Sequence, residues 1–190
     1  MNVVAFVLAI VIGLLLAETR VSAAHERRLR ESHAVRPDGD VYRALALVYP
    51  ASFLVIGFEG LWRAAHAPAV TAPGHPSWLA AGVVLFAASK ALKYWAIRTL
   101  GERWSFRVYV QPGQPLVTTG PYRYVAHPNY IAVMGEIAGT AMMVGAVVAG
   151  PVAIVVFAIV LRARIRFENR VLAESRAPRA PSPTAQGRQA

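Results

Sequence analysis

Apolar and polar stretches alternate along this chain with a period too long for the core of a small soluble domain. Residues 2–17 form an almost unbroken apolar run ending at Glu18, and 18–43 are rich in acids and arginines. Residues 44–61 are apolar again, with Pro50 inside and Glu59 near the far end, and 62–77 hold three prolines between Trp62 and Trp78. A third apolar run covers 79–97, a polar connector 98–130, and a long apolar stretch 131–161. A bilayer core of ~30 Å takes roughly 20 helical residues. The long stretch exceeds one span and is interrupted at Gly145 and at Gly150-Pro151, so it reads as a hairpin with the Gly-Pro pair as its turn. The first run is short for a span. Val21-Ser22-Ala23 loosely resembles a signal cleavage site, yet no Lys or Arg precedes the run, and Glu18 and Arg20 crowd the site. A retained first span is expected. The pattern predicts an all-α integral membrane protein of about five transmembrane helices, including a C-terminal helical hairpin, plus a cytoplasmic C-terminal helix over 162–176. One domain is expected over 1–176, followed by a disordered Pro/Ala/Ser-rich tail, 177–190.

Composition agrees. Of 190 residues 56% are hydrophobic and 16% charged, and the mean hydropathy is +0.42. The absence of cysteine excludes disulfides and thiolate metal ligands, and no metal centre is expected. The net charge is +10, and 18 of the 20 basic residues are arginine, mostly in connectors. That placement points to anionic lipid headgroups and to topology control, and no nucleic-acid partner is expected. Six arginines lie in 18–43, four in 98–130 and seven beyond Leu161, against one in 62–77. By the positive-inside rule the N-terminus is outside and the C-terminus cytoplasmic.

The densest chemistry lies in Gly120-Pro-Tyr-Arg-Tyr-Val-Ala-His-Pro-Asn-Tyr130. Pro121 and Pro128 each remove a backbone donor and restrict the residue before them. His127-Pro128 therefore reads as a fixed bend ahead of a helix. An imidazole and phenols at the mouth of a membrane helix suit a ligand clamp; they equally suit an interfacial loop with tyrosines at headgroup level. Lys90 and Lys93 share one face of the third span, either snorkelling to water or lining an anionic pocket. Glu26 and Arg30 can pair on a helix surface. Glu136 sits inside the hairpin, where an ionisable group is costly and faces a cavity or a partner. Arg164 and Glu168, four apart, are either a surface ion pair or a two-headed clamp, the guanidinium for a substrate anion or oxygen and the carboxylate for a ligand ammonium.

Tyr94-Trp-Ala-Ile-Arg-Thr-Leu-Gly101, the 120–130 segment and Arg164-Ile-Arg-Phe-Glu168 together closely resemble the isoprenylcysteine carboxyl methyltransferase family. The likeness covers residues 85–172 and is closest to a short bacterial branch that includes O-methyltransferases of long-chain alkylresorcinols and alkylpyrones. It implies a membrane enzyme using S-adenosyl-L-methionine, held by Leu116, Val117, Tyr122, His127, Pro128, Asn129, Tyr130 and Glu168. It implies that Arg164 faces the substrate, a hydrophobic lipid or polyketide-like acceptor. Glu136 is the candidate base for a phenolic proton, with Arg164 stabilising the acceptor oxygen. Two positions depart from the family: Ala126 stands for an arginine, and Asn169 for a second acid after Glu168. The chain has no G-x-G-x-x-G dinucleotide signature. The rival readings are an NAD(P)H-dependent membrane reductase with a similar His-Pro loop and a non-enzymatic membrane protein.

Overall fold

The computed structural model describes residues 3–66, 76–111 and 114–176. The tail 177–190, expected to be disordered, and most of the proline-bearing connector, 67–75, lie outside the described residues. Five α-helices account for most of the rest: α1 (Val3–Glu31), α2 (Tyr42–His66), α3 (Pro76–Leu100), α4 (Pro128–Val144) and α5 (Ala149–Arg176). Among the described residues the only β pairing is a single antiparallel bridge between Val35 and Val110.

Helix α1 overruns its apolar stretch. The expected connector after Glu18 is helical to Glu31, because it contains no Gly or Pro and the Glu26–Arg30 pair forms at 4.0 Å. Val4, Val7, Val11, Glu18, Ser22 and Leu29 are its buried positions, one continuous stripe at helical spacing. The polar half thus presents the same face to the protein as the apolar half.

The hairpin is present, but its turn is not the Gly-Pro pair. Gly145 ends α4 in the left-handed region, at φ 67°, and Ala146 N–H closes on Ala141 C=O at 2.9 Å, as in a Schellman cap. Gly150 and Pro151 lie in the first turn of α5, where a missing N–H costs nothing because that donor has no partner within the helix. Glu59 of α2 accepts from the N–H groups of Val148 (3.2 Å) and Ala149 (2.5 Å), anchoring the start of α5. The expected charged helix over 162–176 is present as the continuation of α5. Nothing between Pro151 and Arg176 breaks it.

Helix α4 is the interior element, with Ala132, Val133, Glu136, Ile137, Gly139 and Thr140 all buried. It lies against α3 through small residues. A Cβ on Gly82 would come within 2.7 Å of Gly139 O, and one on Gly139 within 2.8 Å of Phe86 N. Such close backbone approach is a common way for membrane helices to pack. The outer faces carry large exposed apolar side chains, among them Phe6, Leu47, Phe58, Val84 and Ile159. Among the described residues three helical segments (Val3–Glu31, Tyr42–His66 and Pro76–Arg103) are long and apolar enough to cross a membrane. At 17 residues α4 reaches about 26 Å at 1.5 Å per residue, short of a full span. In length α4 therefore differs from the first three helices, whereas α5, at 28 residues, does not.

Candidate functional site

A cavity of about 450 Å³ opens between the helices and the loop segments 101–111 and 114–127. Ligand sites occupy roughly 300–1,000 Å³. Its inner end is apolar, with Leu15, Leu45, Pro50, Val133, Phe157 and Leu161. Its outer end is made by the loop and by the first turn of α4. Leu116, Val117, Tyr122, His127, Pro128, Asn129, Tyr130, Arg164 and Glu168 all line it, as does Ala126. Every expected site residue except Glu136 borders this one space.

Local sequence explains the placement. Pro121 is the second residue of a short 3₁₀ turn, Gly120–Arg123, and Tyr122 in that turn lines the cavity. Burial, and then the nearby Glu168 carboxylate, raise the Tyr122 phenol above its ordinary range, keeping it a protonated donor. Helix α4 begins at Pro128, with His127 as its non-helical cap, so the His-Pro pair is the expected bend. The His127 ring stacks on Tyr130 at 5.2 Å between centroids and 22° between planes.

These residues form one polar chain. Tyr130 Oη donates to Glu168 Oε2 at 2.6 Å and accepts from Arg164 Nε at 3.2 Å. His127 Nδ1 lies 3.8 Å from the same carboxylate oxygen, and its Nε2 is 3.1 Å from Asn169 Oδ1. Asn169, where the family resemblance leads one to expect an acid, is thus the partner of His127. Arg164 and Glu168 do not pair directly. The guanidinium of Arg164 goes to Asp40, and its Nη2 donates to Phe106 C=O at 2.9 Å. Asn129 Oδ1 is buried without a hydrogen-bond partner, an acceptor left over at the cavity wall.

Glu136 lies deeper and does not line the cavity. It belongs to a buried cluster drawn from four helices. Glu18 Oε1 meets Lys90 Nζ at 2.5 Å, and Glu18 Oε2 meets Lys93 Nζ at 2.7 Å. Glu136 lies 3.1 Å from Lys90 and 3.2 Å from Lys93, and Tyr49 Oη donates to it. Two carboxylates face two ammonium groups, so the charges balance. Lys90 and Lys93 do not snorkel: Lys93 is fully buried. Tyr49 and Lys93 also border the cavity, so the cluster touches its inner end through them.

Sequence reasoning missed Asp40, Glu18, Tyr49 and the stretch Trp104–Val110 as parts of this region. Asp40 closes the sequence Pro37-Asp-Gly-Asp40, with no spacing to connect it to Arg164. The 104–110 stretch is tied to the first helix and to the connector after it, besides its contact with Arg164. Phe106 N–H donates to Ser22 Oγ at 2.9 Å, His25 Nδ1 to Trp104 C=O at 2.9 Å, and Val110 bridges Val35. Among the described residues no group of three or more His, Cys, Asp or Glu side chains is placed to hold a metal ion.

Comparison with known proteins places these residues in context. A profile of the isoprenylcysteine carboxyl methyltransferase family matches residues 80–174, which include the loop, the hairpin, His127, Tyr130, Arg164 and Glu168. The chain is similar to an uncharacterized protein of Bacillus subtilis (strain 168), YpbQ. The two are 29% identical over 169 residues, 88% of this chain and 95% of the relative. No solved structure matches the chain.

Proposed function

The chain belongs to the isoprenylcysteine carboxyl methyltransferase family, and from that premise we propose that it transfers a methyl group from S-adenosyl-L-methionine to an oxygen of a hydrophobic, lipid-like acceptor at the cytoplasmic face of a bacterial membrane. The observation that carries this reading is a single cavity with two chemically different ends. The outer end offers a carboxylate, aromatic faces and a leftover buried acceptor, Asn129 Oδ1. That donor set suits a cofactor with a sulfonium, an ammonium and an adenine amine, since cations favour carboxylates and π-faces. The inner end offers hydrocarbon.

When bound, the cofactor supplies an electrophilic methyl group on sulfur. The protein's part is mainly placement. Glu168 and the stacked pair His127–Tyr130 hold the cationic portion. Leu116, Val117 and Tyr122 cover it from the loop side. The inner end takes the acceptor's chain between α1, α2 and α5, leaving its reactive oxygen near the junction that Arg164 borders. Aligning donor and acceptor in a water-poor cavity can account for most of the acceleration of an in-line displacement. Glu136 communicates with the cavity only through Tyr49 and Lys93. Its role in proton removal, expected from the sequence, would run through the Tyr49 hydroxyl. A phenolic hydroxyl and a carboxylate are both acceptors of the right chemistry.

The arginine distribution supports an external N-terminus and a cytoplasmic C-terminus, which puts the site at the inner membrane face. Binding separates this reading from its rivals: purified protein in detergent should bind S-adenosyl-L-methionine saturably and NADPH not at all. The reverse preference would favour a reductase.

A further inference from the structure

Asp40 lies between α1 and α2, well before the segment 80–174 that matches the family. Its side chain is 2% exposed, and three groups converge on it. Arg164 Nη1 and the Tyr42 N–H (3.0 Å) reach Oδ1, and the Val108 N–H reaches Oδ2 at 3.2 Å. A carboxylate this deep is tolerable only when paired and hydrogen-bonded. Arg164 is equally enclosed, at 3% exposed. Its three donor groups are committed: Nη1 to Asp40, Nη2 to Phe106 C=O and Nε to Tyr130 Oη. A guanidinium only donates, so the Tyr130 oxygen must accept from it, and its one proton points to Glu168 Oε2.

Arg164 and Glu168 are one helical turn apart on α5, close enough to pair directly. They do not, because Asp40 holds the guanidinium on its other side. We infer that Asp40 is a positioning residue for the cofactor end of the cavity: as the counter-ion of Arg164 it keeps Glu168 uncaptured, with Oε2 fixed by Tyr130 and Oε1 left for a cationic group of the ligand. The connector ahead of α2 thereby completes a site whose other members all lie in the matched segment. This rests on the cavity being the S-adenosyl-L-methionine site proposed above.

The test is the dissociation constant for S-adenosyl-L-methionine, measured by calorimetry on the full chain in detergent, with thermal unfolding recorded for each variant. Asp40→Asn frees Arg164 to turn onto Glu168. Affinity should fall about tenfold, the order expected when one hydrogen bond or ion pair to a charged group is lost. The double variant Asp40→Asn/Arg164→Gln removes captor and counter-ion together. It should return to within about threefold of wild type, which simple structural damage would not do. Arg164→Lys keeps the buried charge balance. A lysine lacks the planar fork that fixes the guanidinium on Asp40 and Phe106, so its ammonium is free to swing onto Glu168 and affinity should fall there as well. Wild-type affinity in Asp40→Asn or in Arg164→Lys overturns the inference, as does a double variant no better than Asp40→Asn. If Asp40→Asn does not fold, the Arg164→Lys result decides. Failure of the wild-type chain to bind the cofactor removes the functional reading and this inference together; binding that the variants leave unchanged removes this inference alone.

Discussion

Replacing Lys93 with methionine is the sharpest test of the buried cluster. Lys93 Nζ is fully enclosed and lies within 3.3 Å of both Glu18 and Glu136 and 3.2 Å from Tyr49 Oη. Methionine fills a similar volume, so packing loss is small and the main effect is electrostatic. Two buried carboxylates are then left to share Lys90 alone. Removing one partner of a buried ion pair typically costs about 3–5 kcal/mol, because the other charge stays buried without compensation. For a chain of this size each kcal/mol moves the unfolding midpoint by roughly 2–4 °C, so the midpoint should fall on the order of 10 °C. The assay is thermal unfolding of purified protein in detergent, followed by circular dichroism. The control is Lys93→Met/Glu136→Gln, which removes one charge of each sign. It should recover a large part of the loss, because the site is again neutral. An unchanged midpoint for Lys93→Met would show that Lys93 is not held between two carboxylates. A double variant that loses the sum of the two single effects would show that the groups do not act as a unit.

Other elements of the structure lead to equally direct expectations. Glu168→Gln and His127→Ala should each weaken S-adenosyl-L-methionine binding about tenfold without lowering the unfolding midpoint, as read by calorimetry beside a melt; unchanged affinity in both would remove them from the cofactor site. Glu59→Ala removes the acceptor that anchors the first turn of α5 and should cost about 1 kcal/mol, seen as a midpoint drop of a few degrees. Gly139→Leu drives a side chain into the backbone of α3 and should abolish folding or yield, whereas the outward Ile159→Leu should be silent in the same expression test. Reporter fusions within 67–75 and after residue 176 should report opposite sides of the membrane, and finding both on one side would refute the orientation.

Much of the architecture is legible from the chain because apolar run length maps directly onto helices that cross a membrane. The first three apolar runs all appear as helices, and the 131–161 stretch appears as a hairpin. What the runs do not show is where a helix ends. Polar residues 18–31 continue α1 because helix formation depends on backbone continuity and on one buried stripe, and Ser22 and Leu29 keep that stripe going. Gly150-Pro151 looks like a turn in sequence, yet proline fits the first turn of a helix as readily as a bend. The ends of the site were legible for a different reason. His127, Pro128 and Tyr130 lie within one helical turn, and Arg164 and Glu168 within another, so local spacing brings each group together. Asp40 and Glu18 carry no such signal. Their partners are 124 and 72 positions away, a separation that only the packed helices close. Lys90 and Lys93 were legible as a pair on one face, but which carboxylates they meet depends on α1 and α4 together.

The central claim is that the two-ended cavity holds a methyl donor at its loop end and a lipid at its apolar end. The most direct measurement is transfer of label from methyl-labelled S-adenosyl-L-methionine to a panel of long-chain phenolic and carboxylic lipids, using purified protein in detergent or vesicles. The account predicts label in at least one lipid class, linked through oxygen, with transfer lost in Glu168→Gln and reduced by enlarging the inner end in Phe157→Ala. Absence of transfer to every lipid, together with no saturable binding of S-adenosyl-L-methionine, would contradict it.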